Sequence, residues 1–96
     1  MPVCNLSLQI IPLVPEEKVY PVVDQVIAMI AESKVKYMVG PMETTMEGEL
    51  DILLDIVRKA QFVCSAAGAD RILSVVKIDY RSGGVTIDEK MDKYKR

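Results

Sequence analysis

The stretch KYMVGPMETTMEGE, residues 36–49, decides the fold. Residues 36–39 and 42–47 each predict a short strand, rich in β-branched and aromatic side chains or alternating in polarity. Gly40-Pro41 separates them, as expected where a chain bends. These residues therefore predict a hairpin, and the architecture depends on the segments to either side.

A helix is predicted on the N-terminal side of this hairpin. It opens at Pro15, with Glu16 and Glu17 in the first turn, and ends near Ser33. Its apolar residues recur at helical spacing and predict one buried side: Val19, Val22, Val23, Val26, Ile27 and Ile30.

A second helix is predicted on the C-terminal side, from Gly48-Glu49 to about Ala67, with Gly68 as its stop. The stripe expected to pack in the core consists of Leu50, Leu53, Leu54, Val57 and Cys64. A further apolar stripe consists of Ile52, Ile56 and Val63. Because a helix with two apolar sides needs two partners, we expect the further stripe either to be sandwiched within the domain or to serve as an assembly surface.

The outer parts of the chain predict two longer strands, residues 3–13 and 71–80. In the first strand, one face is apolar and the other carries Asn5, Ser7 and Gln9. The last strand carries Leu73, Val75, Lys77 and Asp79 on one face. Beyond it we expect a turn at residues 82–84, an extended piece at 85–87 and a final helical turn capped by Asp88.

The predicted order is β-α-β-β-α-β over a single domain, residues 1–96. This order is typical of the α+β ferredoxin-like sandwich, a four-stranded antiparallel sheet with two helices on one face, here with a short C-terminal extension. Two helices leave the other sheet face bare. Uncharged polar side chains among apolar ones on that face suit a ligand pocket or a subunit contact.

Composition narrows the function classes. The net charge of −2 argues against nucleic-acid binding, which needs a basic surface. The absence of histidine removes the commonest general base and metal ligand. No apolar run approaches a membrane span, and we expect no signal peptide and a cytoplasmic protein. A hydrophobic share of 50% in so short a chain predicts a homo-oligomer.

Two blocks resemble one known family, the thiamine-binding domain family. They are GPMETTMEGE at residues 40–49 and IDYRSGGVTIDEKMDKY at residues 78–94. The resemblance covers essentially the whole chain. It implies a ferredoxin-like fold, dimers of dimers, and binding of thiamine or its hydroxymethylpyrimidine moiety in thiamine salvage or transport, without catalysis. In one departure from the family, Leu6 precedes Ser7 where many relatives carry an aromatic residue.

Five residues are candidates for ligand contacts: Ser7, Gln9, Thr44, Thr45 and Glu47. Hydroxyls and a carboxylate can match the donors and acceptors on the edge of an aminopyrimidine. Alternation places Thr45 and Glu47 on one face of their strand and Thr44 on the other, so one subunit cannot bring all of them to one pocket. Both threonines are equally compatible with a purely structural strand.

Two other function classes stay open. The bare face could be covered entirely by subunit contacts, as in a structural or regulatory interaction module without a ligand. An enzyme is disfavoured: without histidine, nothing is expected to activate Cys4 or Cys64 as a nucleophile. The sequence predicts no catalytic residue, metal site or cofactor.

Overall fold

A computed structural model describes residues 2–94 of the chain. Within them the elements follow in the order β1 (Val3–Pro12), α1 (Glu16–Glu32), β2 (Lys36–Val39), β3 (Thr44–Glu49), α2 (Leu50–Ala66), β4 (Ile72–Asp79), α3 (Ile87–Met91) and a 3-10 turn (Asp92–Tyr94). The strands form one antiparallel sheet in the order β2-β3-β1-β4. The predicted ferredoxin-like α+β fold is confirmed.

The sheet register decides which side chains share a face. Ser7 on β1 lies opposite Thr45 on β3 and opposite Lys77 on β4. Thr45 in turn lies opposite Met38 on β2. Because directly paired residues point to the same side of a sheet, these four side chains share the face that α1 and α2 leave open.

The hydrophobic core lies between the other face of the sheet and the two long helices. Leu6, Met46 and Leu53 are fully buried there, and Ile30 on α1 is 1% exposed. Complete burial of one such side chain stabilises the fold by about 1.5–3 kcal/mol. This layer holds the strands in place, so the open face has a firm support.

The hairpin turn occupies residues 40–43, and β3 begins at Thr44, two residues later than predicted. The backbone N–H of Gly40 donates to the carbonyl oxygen of Glu43 at 2.8 Å. A Cβ atom on Gly40 would lie 2.9 Å from that same oxygen, so the turn admits only glycine without moving. Met42 belongs to the turn and is 74% exposed.

Of the two alternatives for the further stripe on α2, the assembly surface is wrong at Ile56, which is sandwiched within the domain. This side chain is 2% exposed and packs in the core with Leu53 and Cys64, whereas the predicted core residue Leu54 is 42% exposed. The reason lies in the rotation of the helix. The side chains of α2 that are buried lie at residues 53, 56, 60 and 64, and the small side chain of Ala60 is fully buried among them. The helix is therefore rotated relative to the predicted core stripe.

The C-terminal segment, residues 81–94, runs back across one end of the open face. The Val85 N–H donates to the Val3 carbonyl oxygen at 2.8 Å, and Val85 and Ile87 are 4% and 5% exposed. The sequence predicts an open face that is bare along its whole length, whereas the structure covers one end of that face. The segment and the strands instead enclose a space between them.

The cap of α3 is Thr86 and not Asp88, and no extended piece reaches residue 87. The Thr86 hydroxyl accepts a hydrogen bond from the Glu89 N–H at 3.2 Å, and the Glu89 carboxylate accepts one from the Thr86 N–H at 3.1 Å. This reciprocal pair is a capping box. Gly84, with φ of +94°, makes the preceding turn that lets the segment reverse.

Candidate functional site

A cleft of about 330 Å³ lies between the open sheet face and α3. Every strand contributes to its floor, and α3 forms one wall. The lining residues are Asn5, Ser7, Met38, Glu43, Thr45, Lys77, Ile78, Asp79, Ile87, Lys90 and Met91. A cleft of this size falls at the lower end of the range for small-molecule sites.

Asn5 supplies a buried acceptor at the floor of the cleft. Its side-chain nitrogen Nδ2 donates to the carbonyl oxygen of Val85 at 3.3 Å. The residue is only 4% exposed, yet its oxygen Oδ1 has no hydrogen-bond partner within residues 2–94. An unpaired buried acceptor costs about 1–3 kcal/mol, so it calls for a partner from outside the described chain.

Ser7 presents a second buried polar atom of the same kind. It lies two residues along β1 on the same face as Asn5 and is 8% exposed. Its hydroxyl oxygen also lacks a partner in the described part of the chain. Both residues line the cleft and each has an unpaired buried polar atom, and we call them the Asn5–Ser7 pair.

Glu47 fixes the wall of the cleft. Its carboxylate oxygen Oε1 accepts a hydrogen bond from the backbone N–H of Ile87 at 2.6 Å. Next to it, Lys36 forms a 2.7 Å ion pair with Asp88 of α3. The hydrogen bond to Asp88 raises the pKa of Lys36, with a smaller contribution from the charge of Glu47. Residues 36 and 47 thus tie the sheet to α3.

Charged side chains around the cleft are paired with one another. Lys90 Nζ lies 2.6 Å from the Asp79 carboxylate, and Lys77 Nζ lies 3.5 Å from that of Glu43. Two acids and two lysines balance in charge. The cleft therefore suits a ligand that is recognised by hydrogen bonds and ring contacts more than one recognised by charge.

The structure divides the five predicted contact residues. Ser7 and Thr45 line the cleft together, and Glu47 supports its wall from the same face. Thr44 pairs with Leu8 on the helix-covered face and is 6% exposed. Gln9 and Thr44 line a different cleft of about 320 Å³, between α1 and the turn at residues 40–43.

Both cysteines lie in the core, away from the chemistry of the cleft. Burial raises the pKa of Cys64, and burial together with the charge of Asp79 raises the pKa of Cys4. The Cys4 thiol lies 3.5 Å from the Gly48 carbonyl oxygen, as a weak donor. Within residues 2–94, no group of three or more acids, cysteines or histidines is close enough to hold a metal ion.

Sequence reasoning gave too little weight to Asn5 and missed the wall that α3 provides. The signal for the wall is present in TIDE, residues 86–89, which has the threonine and glutamate spacing of a capping box. Met38 on β2 and Met91 on α3 both line the cleft. The role of Met91 had no signal in the sequence, because it depends on where the segment folds back.

Known proteins resemble this chain over nearly its whole length. A family model described as thiamine-binding protein matches residues 6–95. The UPF0045 protein CPE1503 of Clostridium perfringens is 57% identical over 95 residues, which cover 99% of this chain and 100% of that protein.

Within the part of the chain that the structure describes, no helix is long and apolar enough to cross a membrane.

Solved structures also resemble this chain. A domain of unknown function, DUF77, from Bacillus cereus superposes with a TM-score of 0.92 at 48% identity, covering 98% of this chain and 91% of that one. A Thermotoga maritima protein described as a candidate for thiamine biosynthesis or salvage gives 0.92 at 35% identity, covering 98% and 100%. By sequence and by structure, the chain belongs to the thiamine-binding protein family.

Proposed function

We propose that this protein binds thiamine, or its hydroxymethylpyrimidine moiety, in the cleft between the open sheet face and α3. It would act in thiamine salvage or transport. Family membership supports the ligand class, and the geometry of the cleft supports the place.

The observation that carries the proposal is the Asn5–Ser7 pair. A ligand with hydrogen-bonding groups along one edge would satisfy both atoms and remove the cost of leaving them unpaired. A pyrimidine ring has such an edge.

The apolar part of the lining suits the flat faces of a heteroaromatic ring. Met38 comes from β2, and Ile87 and Met91 come from α3. Methionine side chains are flexible and polarizable, and they make favourable contacts with aromatic rings. A ring held between β2 and α3 would direct its edge to the floor of the cleft.

Binding would proceed without catalysis. Both thiols are buried and their raised pKa keeps them protonated at neutral pH, so neither is an activated nucleophile. Two free cysteines also suit the reducing conditions of the cytoplasm, where we place the protein.

Isothermal titration calorimetry with thiamine, hydroxymethylpyrimidine and the thiazole moiety tests the proposal. We expect the two pyrimidine compounds to bind at one site per chain and the thiazole moiety to bind far more weakly. Thr45→Gln should weaken binding, because the longer side chain fills the cleft floor. Gln9→Ala is the matched control, since Gln9 lies on β1 but outside this cleft.

The proposal fails if saturating thiamine and hydroxymethylpyrimidine both give no heat of binding and no rise in melting temperature. A ligand that binds only the native state must raise that temperature. It also fails if Thr45→Gln binds as tightly as the unmodified protein, because the ligand would then occupy another place.

A homo-oligomer, arranged as a dimer of dimers, is the second part of the proposal. Within residues 2–94, β4 pairs only with β1, and four of its apolar side chains are 37–48% exposed: Leu73, Val75, Val76 and Ile78. Such an edge strand favours pairing with another chain. If assembly through this surface is the protein's only role, the protein is an interaction module without a ligand. Light scattering gives the mass, and the calorimetry above separates the two functions.

A further inference from the structure

A second groove lies on the helix-covered side of the sheet, between α1 and the turn at residues 40–43. Its volume is about 320 Å³, and most of its lining is apolar. Three large hydrophobic side chains of the lining are exposed: Tyr20, which is 81% exposed, Val39 and Met42. A groove surrounded by such side chains is typical of a surface that another molecule covers.

α1 presents one stripe of residues to this groove. At about 100° per residue, Glu16, Tyr20, Val23 and Ile27 fall within about 60° of one another around the helix. Tyr20, Val23 and Ile27 line the groove, and Glu16 precedes them in the first turn. Lys34 follows at the other end, directly after the C-cap residue of the helix. The stripe is therefore acidic at its start, apolar in its middle and followed by a positive charge.

The charges at the two ends of this stripe are not used inside the chain. Within residues 2–94, the ion pairs join residues of α2, of α3, of the strands and of two turns, and none includes α1 or Lys34. On α2, by contrast, Asp55 pairs with both Arg58 and Lys59. Opposite charges from outside the chain would find both ends of the stripe available.

Lys34 also occupies a backbone position that glycine usually takes. It follows the C-cap of α1 and has φ of +65°, in the left-handed region. A lysine is less favourable there than glycine, and strained positions of this kind are often connected with function. A function for its charge accounts for a lysine at this end of α1.

We propose that a second copy of this chain packs on the groove, with the two α1 helices antiparallel about a two-fold axis near residue 25. Position 25 is midway between Glu16 and Lys34, so each Glu16 lies opposite the partner's Lys34, and each Val23 lies opposite the partner's Ile27. The positive end of each helix dipole also lies beside the negative end of the other. The inference rests on the homo-oligomer of the proposed function and supplies the second surface that a dimer of dimers needs.

Reversal of charge tests this arrangement. Glu16→Lys places two lysines opposite each other at both ends of the interface, and Lys34→Glu places two carboxylates there. We expect each variant to assemble about 10- to 100-fold more weakly than the unmodified protein, because two attractive pairs become repulsive. Asp51→Lys is the matched control, since it makes the same reversal in the first turn of α2, outside the groove. Sedimentation velocity over a range of protein concentrations measures the affinities.

A mixture of the two variants gives the sharper result. In a heterodimer of Glu16→Lys with Lys34→Glu, each end of the interface again joins a lysine to a carboxylate. The mixture should therefore recover an affinity within about threefold of that of the unmodified protein. A variant that had failed to fold could not be rescued in this way.

Tyr20 tests the apolar middle of the interface. Tyr20→Ala should weaken assembly about 10- to 100-fold, as expected for an aromatic side chain at the centre of an interface. Tyr20→Phe keeps the ring and should assemble almost as well as the unmodified protein. Neither change should alter thiamine binding, because Tyr20 lies outside the cleft beside α3.

Three outcomes overturn the inference. A protein that is monomeric at every concentration contradicts the homo-oligomer of the proposed function, and this inference fails with it. Assembly that is unchanged in Glu16→Lys, Lys34→Glu and Tyr20→Ala contradicts this inference alone, because the copies then meet elsewhere and the groove is left to another protein. Variants that assemble weakly alone and equally weakly when mixed contradict the antiparallel pairing.

Discussion

The carboxylate of Glu47 accepts a hydrogen bond from the backbone N–H of Ile87 at 2.6 Å, across 40 residues of chain. The contact joins β3, where the sheet is supported by the core, to the first turn of α3, which is too short to be stable alone. A free N–H at the start of a helix needs an acceptor, and Glu47 supplies one. The wall of the cleft therefore depends on a side chain of β3, one of the strands that form the floor.

Replacing Glu47 by alanine should loosen that wall. A hydrogen bond to a charged group contributes about 1.5–3 kcal/mol, so the Ile87 amide should exchange its hydrogen about 10- to 100-fold faster. Exchange of β1 amides should not change. Glu49→Ala is the control, because Glu49 is exposed at the end of the same strand. Equal exchange rates at Ile87 in both variants would contradict the role given to Glu47.

Ser7→Ala should raise the stability of the ligand-free protein while weakening ligand binding. Removing a buried hydroxyl without a partner recovers about 1 kcal/mol, which corresponds to a rise of about 4–8 °C in melting temperature for a domain of this size. Ser74→Ala is the matched control, since the Ser74 hydroxyl bonds to Gln61. A fall in melting temperature for Ser7→Ala would mean that the hydroxyl is already satisfied.

Ile56 and Ile52 should respond differently to truncation, although they lie one turn apart on α2. Ile56→Ala leaves a cavity in the core and should lower the free energy of unfolding by about 2–5 kcal/mol. Ile52 is 47% exposed, and Ile52→Ala should cost less than about 1 kcal/mol. Urea denaturation measures both values. Similar losses would contradict the rotation of α2 described above.

The two thiols should be protected in the native protein. Burial raises the pKa of both, so at pH 8 fewer thiolates are present in the folded than in the unfolded chain. Alkylation by iodoacetamide should be more than about 100-fold slower than in denaturant, because it requires opening of the core. Cys64→Ala assigns the remaining reaction to Cys4. Native rates equal to denatured rates would contradict the burial.

The sign of the pH effect follows from the same shifts. Because the folded state favours the protonated thiols, their contribution to stability is complete below the ordinary thiol pKa. It is lost as the pH rises through the raised values of the folded state. Urea midpoints that increase between pH 8 and pH 10 in the intact protein, but not in a variant with both cysteines replaced by alanine, would contradict this account.

The sequence predicts the architecture well because its signals are local. The spacing of apolar residues in α1, the glycine at position 40 and the alternation of β1 each depend on near neighbours along the chain. These signals suffice for the order of helices and strands along the chain and for placing Thr45 and Glu47 on one face of β3. They also show correctly that Thr44 points the other way.

The candidate site is harder to predict because it depends on contacts across the fold. Nothing near Asn5 in the sequence indicates that Val85 will orient its amide, and the two residues are 80 positions apart. Glu47 has the chemistry of a ligand contact, but the returning C-terminal segment uses its carboxylate. The rotation of α2 likewise depends on core packing, in which Ala60 is fully buried.

Nitrogen-15 NMR of the intact protein, titrated with thiamine, tests the central claim most directly. If the ligand lies in the cleft, the side-chain amide of Asn5 and the backbone amides of Ser7, Thr45 and Met91 should shift and saturate together. Saturable shifts confined to α1 and the turn at residues 40–43, with the Asn5 side chain unchanged, would place the ligand in the other cleft and contradict the account.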